Sequence, residues 1–242
     1  MIAVQTYSHW ETFWYVGGFV VWAPAYIAIV VIAVRQRRLE IPLIAVTANV
    51  TWEFLWGFVF HQNMGPGLQW VYRGACILDL FILAAVFLLG RTQSRAPLYA
   101  RYFNVVVVAL LAGWIAFYWS LHTSHYDLPL GSMSAYLDNI LMSGLYIWFV
   151  MTRIDPRELS FTVAWSKGIG TGMVSVFVFM EYTDNAFIKT LAVMVGILDF
   201  VYLVALGLRL RHARDASPEL VIDLTREGEE QSPALGSRPA TT

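Results

Sequence analysis

The chain has 242 residues, 58% hydrophobic and only 14% charged, with a formal net charge of −1. Soluble domains carry about 25% charged residues, so the composition excludes a soluble globular enzyme and points to an integral membrane protein. The single cysteine, Cys76, excludes an internal disulfide and a cysteine-based zinc cluster.

A spanning helix needs roughly 20 mostly apolar residues. In chain order the apolar runs predict seven spans, at 14–34, 41–61, 72–90, 102–122, 135–152, 161–181 and 190–208. The predicted fold class is therefore all-α, a polytopic seven-helix transmembrane bundle occupying residues 1–214. The first run follows the aromatic stretch MIAVQTYSHW, which lacks the basic n-region of a signal peptide, so span 1 is read as retained. Residues 215–242 are polar, acidic and rich in Ser, Pro and Gly, and are expected to form a mostly disordered tail.

Lys and Arg set the orientation of a bundle. Arg35, Arg37 and Arg38 follow span 1; Arg91, Arg95 and Arg101 lie between spans 3 and 4; Arg153 and Arg157 follow span 5; Arg209, Arg211 and Arg214 follow span 7. These four regions share one side and hold 11 of the 16 basic residues. The expected topology has the N-terminus outside and the C-terminus in the cytosol.

Translated into depth at 1.5 Å per residue, the buried charges gather in the outer half of the bilayer. Glu53, in NVTWEFLWGF of span 2, lies roughly 12 Å deep, and Asp199 of span 7 about 13 Å, so the two carboxyls stand at matched depth. Asp79 of span 3 lies roughly 10 Å deep, with Arg73 one to two turns away as a candidate partner. Asp138 lies nearer the outer edge. Intramembrane acids are expensive and mark a site by default, although each also has a plain structural reading as a group bonded to a neighbouring helix. Asn49, Trp56 and Gly57 share the Glu53 face at helical spacing, and Tyr202 shares the Asp199 face. Trp114 and Tyr118 form a stripe on span 4. Such aromatics either pack the core or line a pocket whose ring faces stabilise a cation.

The motifs that would indicate other chemistries are missing. No glycine-rich phosphate loop, HExxH, DDxxD or DxDD occurs, no lysine lies midway along span 7, and no serine sits in a nucleophile context. What remains is a pair of carboxyls in an apolar, aromatic pocket. Such a pair holds a proton at neutral pH. That suits acid–base work on a lipophilic molecule and equally suits proton-coupled transport.

The WEFLWG of span 2 around Glu53 and the LDFVYLVAL of span 7 around Asp199 resemble the integral-membrane terpene cyclases of meroterpenoid and indole terpenoid biosynthesis, over roughly residues 10–210. The resemblance implies a non-ionising cyclisation: the terminal alkene or epoxide of a linear prenyl chain, carried on an aromatic or indole-type headgroup, is protonated, and the carbocation closes rings before losing a proton. It implies Glu53 and Asp199 as the catalytic acidic positions, acting as one coupled centre, and no metal or other cofactor. Trp56, Trp114 and Tyr118 are then candidates to face the cation, Asn49 and Tyr202 to orient the carboxyls, and Asp79 and Asp138 to serve as a polar wall or terminating base. The expected partners are a lipophilic prenylated substrate and the lipid bilayer, with no nucleic acid. The expected location is a multi-pass integral membrane protein, of the cell membrane in a bacterium or the endomembrane in a fungus. The alternatives are a small proton-coupled carrier, a lipid-ligand receptor and an intramembrane lipid isomerase. A carrier is expected to show repeated halves and broken helices; no repeat is legible.

Overall fold

The computed structural model describes residues 7–60, 65–93, 97–153 and 155–215. The proposed tail, 215–242, lies outside the described residues apart from Asp215, as does Arg95. Seven main helices run in order: α1 His9–Gln36, α2 Leu43–Phe54, α3 Gly65–Gln93, α4 Pro97–Thr123, α5 Ser132–Thr152, α6 Phe161–Glu181 and α7 Ala186–Asp215. There is no strand among the described residues.

Local chemistry explains several ends. Ser8 and Glu11 form a reciprocal capping box at the start of α1. Ser160 caps α6 by accepting from Val163 N. Asp127 accepts from Met133 N at 3.0 Å and Ser134 N at 3.1 Å, and so closes the N-terminus of α5.

Five helices, α1, α3, α4, α6 and α7, are long and apolar enough to cross a membrane, and Leu43–Val59 forms a shorter apolar helix. The outer surface confirms the solvent. Leu88, Phe200 and Val105 are 75%, 67% and 64% exposed, an arrangement that water would penalise and hydrocarbon does not. Predicted spans 2 and 5 fall outside that set: α5 is not among the five, and the shorter α2 differs in kind. Its nine residues Ala45–Glu53 are all buried, so α2 is enclosed by its neighbours on every side. The helix that carries Glu53 is thus the centre of the bundle.

The basic residues meet at one end. Gln93 Nε2 donates to Arg37 O at 2.9 Å, Arg153 Nη2 to Leu39 O at 3.4 Å, and Arg157 Nη2 to Ala213 O at 2.6 Å. These bonds tie the ends of α1, α3, α5 and α7 together, so connections 1–2, 3–4 and 5–6 share a side.

Helices α1 and α6 approach most closely. A Cβ on Gly18 would stand 2.8 Å from Gly170 O, and one on Gly170 would stand 2.8 Å from Gly18 O. Paired small residues permit this backbone contact, as in many membrane helix pairs. Trp22 Nε1 crosses the seam to Lys167 O at 2.9 Å and Thr171 Oγ1 at 3.2 Å.

The core is divided in two. A cluster toward the basic end contains Tyr26, Val46, Ile82, Met142, Ala164 and Tyr202. A second, toward the opposite end, contains Tyr15, Trp52, Tyr72, Tyr136, Phe177 and Val195. On helix after helix a buried amide or ionisable residue falls between the two: Asn49 between Val46 and Trp52, Asp79 between Tyr72 and Ile82, Asp138 between Tyr136 and Met142, Lys167 between Ala164 and Phe177, and Asp199 between Val195 and Tyr202. The bundle therefore carries one polar layer sandwiched between apolar cores.

Candidate active site

The polar layer is organised around α2. Just beyond Glu53 the helix widens into a π-turn, Leu55–Val59, closed by Phe60 N to Leu55 O at 2.7 Å. Such insertions free a backbone carbonyl and recur beside functional sites. Here Arg73 Nε donates to Gly57 O at 3.0 Å, and the guanidinium lies over the rings of Trp70 and Phe58 at 4.9 and 5.4 Å. Arg73 is therefore engaged with the π-turn, and the expectation that it partners Asp79 is corrected.

Glu53 is held by neutral groups. Tyr26 Oη donates to its Oε1 at 2.6 Å, and Asn49 Nδ2 lies 3.2 Å from the same oxygen. Asn49 Nδ2 also reaches Tyr26 Oη at 3.1 Å and Asp79 Oδ2 at 2.7 Å. Asn49 thus orients Glu53, as its i, i+4 spacing predicted, and links it to Asp79. Among charged groups, Asp79 acts on Glu53 most strongly, followed by Asp138. Glu53 Oε2, Asp79 Oδ1 and Asp138 Oδ1 have no hydrogen-bond partner among the described residues.

Asp199 belongs to a different cluster. Lys167 Nζ lies 2.7 Å from Asp199 Oδ1 and 2.7 Å from Ser143 Oγ, and Ser143 Oγ lies 2.6 Å from Asp199 Oδ1. Glu53 and Asp199 share the layer, as their matched depths implied, but have no hydrogen-bond partner in common. The expected Glu53–Asp199 pair gives way to a Glu53–Asp79 pair and an Asp199–Lys167 ion pair. Lys167, in the second turn of α6, is buried, and the carboxylate across from it is what makes burial tolerable. The signal was present, since a lysine inside a span needs an acid on a facing helix.

Two chambers flank the layer. The larger encloses about 620 Å3, mouth included, and is lined by Glu53, Asn49, Asp138 and Asn139 among aromatic walls from Tyr15, Phe19, Trp22, Trp52, Tyr72 and Tyr136. The smaller, about 350 Å3, lies on the basic side of the layer and is lined by Asp79, Lys167, Tyr26 and Tyr146. Asn49 and Trp22 line both and form the partition.

The aromatic wall differs from the one expected. Trp56 packs edge-on to Phe60 and His122 and fills the place of a side chain at Gly131, whose φ of 66° is open to glycine. Trp114 and Tyr118 stack on each other at 5.7 Å and are absent from the lining of both chambers. Tyr202 stacks on Tyr146 at 5.0 Å, with Asp199 acting on it only at longer range. The missed wall was legible in one place: Tyr15, Phe19, Trp22 and Tyr26 recur at i, i+4, i+7 and i+11, one face of α1. Trp52 was missed because one face of α2 was assumed to carry the site, while a helix buried all round offers every face.

The end of the larger chamber away from the layer is closed by a braced loop. Tyr72 Oη donates to Leu130 O at 2.8 Å, Trp52 Nε1 to Ser134 Oγ at 2.8 Å, and Tyr182 Oη to Pro129 O at 2.7 Å. Tyr15 Oη bonds Tyr72 Oη. Among the described residues no three His, Cys, Asp or Glu side chains are grouped as metal ligands.

An aromatic chamber lined by carboxyls at membrane depth suits chemistry on a lipophilic molecule. The Pyr4-like transmembrane terpene cyclase family matches residues 3–208. The chain belongs to this family. It is 24% identical over 193 residues to terpene cyclase cle7 of Aspergillus versicolor, covering 75% of this chain and 79% of that protein. It is 25% identical over 163 residues to the Pyr4-family terpene cyclase mfmH of Annulohypoxylon moriforme, covering 66% of each. To terpene cyclase macJ of Penicillium terrestre it is 25% identical over 162 residues, 63% of this chain and 60% of that protein. No solved structure matches. The protein is a membrane terpene cyclase, which sets aside the carrier and receptor readings.

Proposed function

We propose that this cyclase protonates the terminal alkene or epoxide of a linear prenyl chain, a farnesyl chain on an indole-type headgroup being the working substrate, and that Glu53 is the proton donor. The observation that carries this reading is the setting of Glu53. It lines the larger chamber, its hydrogen-bond donors Tyr26 and Asn49 are neutral, and its principal charged neighbour is another carboxyl. Burial in an apolar layer keeps a carboxyl protonated, with or without the second carboxyl that stands beside it here, and a general acid must hold a proton where the substrate can reach it.

The cation then formed runs along a wall of ring faces from Trp22, Trp52, Tyr15 and Tyr136, which attract positive charge. The chamber excludes the water that would quench it. Asp138 is the second carboxyl on the same chamber and accepts the closing proton. Asp199, 2.7 Å from Lys167 Nζ, anchors the lysine side chain in the polar layer. No diphosphate leaves, so the reaction is an isomerisation of unchanged mass. The basic end of the bundle faces the cytosol.

The test is direct. Membranes carrying the protein are supplied with a farnesylated indole, and a cyclised product of identical mass is sought. Glu53→Gln is expected to reduce its formation by at least about 1,000-fold, within the span a general acid contributes, with the protein still folded. Turnover by Glu53→Gln at the wild-type rate would remove Glu53 from the donor role.

A further inference from the structure

A cyclase that takes a proton from Glu53 and returns one to Asp138 ends each turnover with both carboxyls in the wrong state. Glu53 is ionised and Asp138 protonated. A second turnover requires the proton to travel back, and the larger chamber, filled with product or substrate, offers no route.

The reverse side of the layer offers one. Asp79 is the charged group that acts most strongly on Glu53, and it is also the one that acts most strongly on Asp138. It is buried, 1% exposed. Its Oδ2 is anchored by Asn49 Nδ2 at 2.7 Å, the same nitrogen that lies 3.2 Å from Glu53 Oε1. Its Oδ1 has no partner among the described residues. Asp79 does not line the substrate chamber; it lines the smaller one behind it, with Lys167 and Tyr146. That chamber has room for a water, and Asn49, Asp79 and Lys167 stand on its wall.

We infer that Asp79 is the proton-return residue of the cyclase, carrying the proton from Asp138 back to Glu53 across the rear of the polar layer. The inference rests on the reading of Glu53 as donor and Asp138 as acceptor. The cycle balances without a co-reactant. The Glu53 O–H bond breaks as a C–H bond forms at the alkene, or an O–H bond at the epoxide. After ring closure a C–H bond beside the cation breaks, and its electron pair becomes the new alkene. The proton joins the Asp138 carboxylate, passes to Asp79 directly or across one water, and moves from Asp79 to Glu53. Asp79 acts through Glu53 and touches no substrate, so it is a positioning residue for the proton and not a catalytic one.

This role separates the first turnover from those that follow. Detergent-solubilised Asp79→Asn is mixed with excess farnesylated indole and product is counted against enzyme. The expected result is an initial burst approaching one product per enzyme, followed by a steady-state rate at least about 100-fold below wild type, the lower range for loss of a proton-transfer group. Asp79→Glu is expected to restore the steady state. With a substrate deuterated at the position that loses its proton, wild type is expected to transfer that deuteron to the next product in ordinary water, and Asp79→Asn to lose the transfer. Multiple turnovers by Asp79→Asn at the wild-type rate, or equal loss of burst and steady state in a folded variant, would overturn the inference. Glu53→Gln run beside it separates the two readings: an active Glu53→Gln removes the donor assignment itself, whereas an inactive Glu53→Gln beside an unaffected Asp79→Asn removes only the return route. A substrate-free measurement stands independently. The protonated-carboxyl infrared band of the wild type is expected to shift in both Glu53→Gln and Asp79→Asn, and a band indifferent to Asp79→Asn counts against the shared proton.

Discussion

Lys167 Nζ lies 2.7 Å from Asp199 Oδ1, with side chains only 3% and 4% exposed, so α6 and α7 are joined by an ion pair inside the bundle. Breaking such a pair from one side strands a buried charge and costs about 3–5 kcal/mol, whereas replacing both partners by apolar groups is often neutral. Asp199→Asn is therefore expected to lower the Tm in detergent sharply, and Lys167→Met with Asp199→Leu to recover most of it. The double variant is expected to stay at least about 100-fold below wild type in turnover, on the scale of a lost acid–base contribution, because Asp138 then loses the cation that acts on it. A double variant both folded and fully active would reduce the pair to a packing element.

Tyr26 supports the acid from the neighbouring helix through the 2.6 Å bond to Glu53 Oε1. Tyr26→Phe keeps the ring and removes that donor, so the carboxylate left after proton transfer loses part of its stabilisation. A hydrogen bond to a charged group contributes about 1.5–3 kcal/mol, which corresponds to a rate loss of roughly 10- to 150-fold. Steady-state kinetics with the farnesylated probe should show it in kcat more than in KM.

Two glycines of α6 predict opposite signs. A Cβ at Gly170 would press on Trp22 and on Gly18 O at 2.8 Å, whereas one at Gly172 would meet nothing within 4 Å. Gly170→Ala should destabilise by about 1–3 kcal/mol through overpacking and, by displacing the partition residue Trp22, also slow turnover. Gly172→Ala should be neutral or stabilising by up to about 1 kcal/mol, because it removes a flexible residue from a helix. Thermal melts of the two variants side by side provide the check.

Glu40 lies in the connection before α2, fully buried, accepting from Ser160 N with its other oxygen unpartnered. Burial pushes its carboxyl from 4.5 up to about 7, against the opposing pull of Ser160 N–H, Arg38 and Arg153. The folded state thus holds this proton more tightly than the unfolded chain. The associated stability is fully present below pH 4.5 and is lost as pH rises to about 7, amounting to about 3 kcal/mol. Melting temperature followed across that window should fall for wild type, and Glu40→Gln should flatten this component of the slope. An unchanged slope in Glu40→Gln would show that other groups carry it.

Hydropathy, helix count, the common end of the basic loops and the acidic positions Glu53, Asp79, Asp138 and Asp199 were all legible along the chain. Each depends on length, composition or depth, and depth follows from counting residues at a fixed rise. Asn49 beside Glu53 was legible for the same reason, since helical neighbours four apart face together. Pairing was not. Depth places a carboxyl in a layer but says nothing of its azimuth, and azimuth depends on how helices rotate as their side chains pack. That rotation joined Glu53 to Asp79, gave Asp199 to Lys167, turned Trp56, Trp114 and Tyr118 away from the chambers and brought Trp22, Trp52 and Tyr72 to the wall. The sequence by itself determined a membrane bundle with an acidic layer; only the packed helices decided which acid meets a cation and which meets another acid.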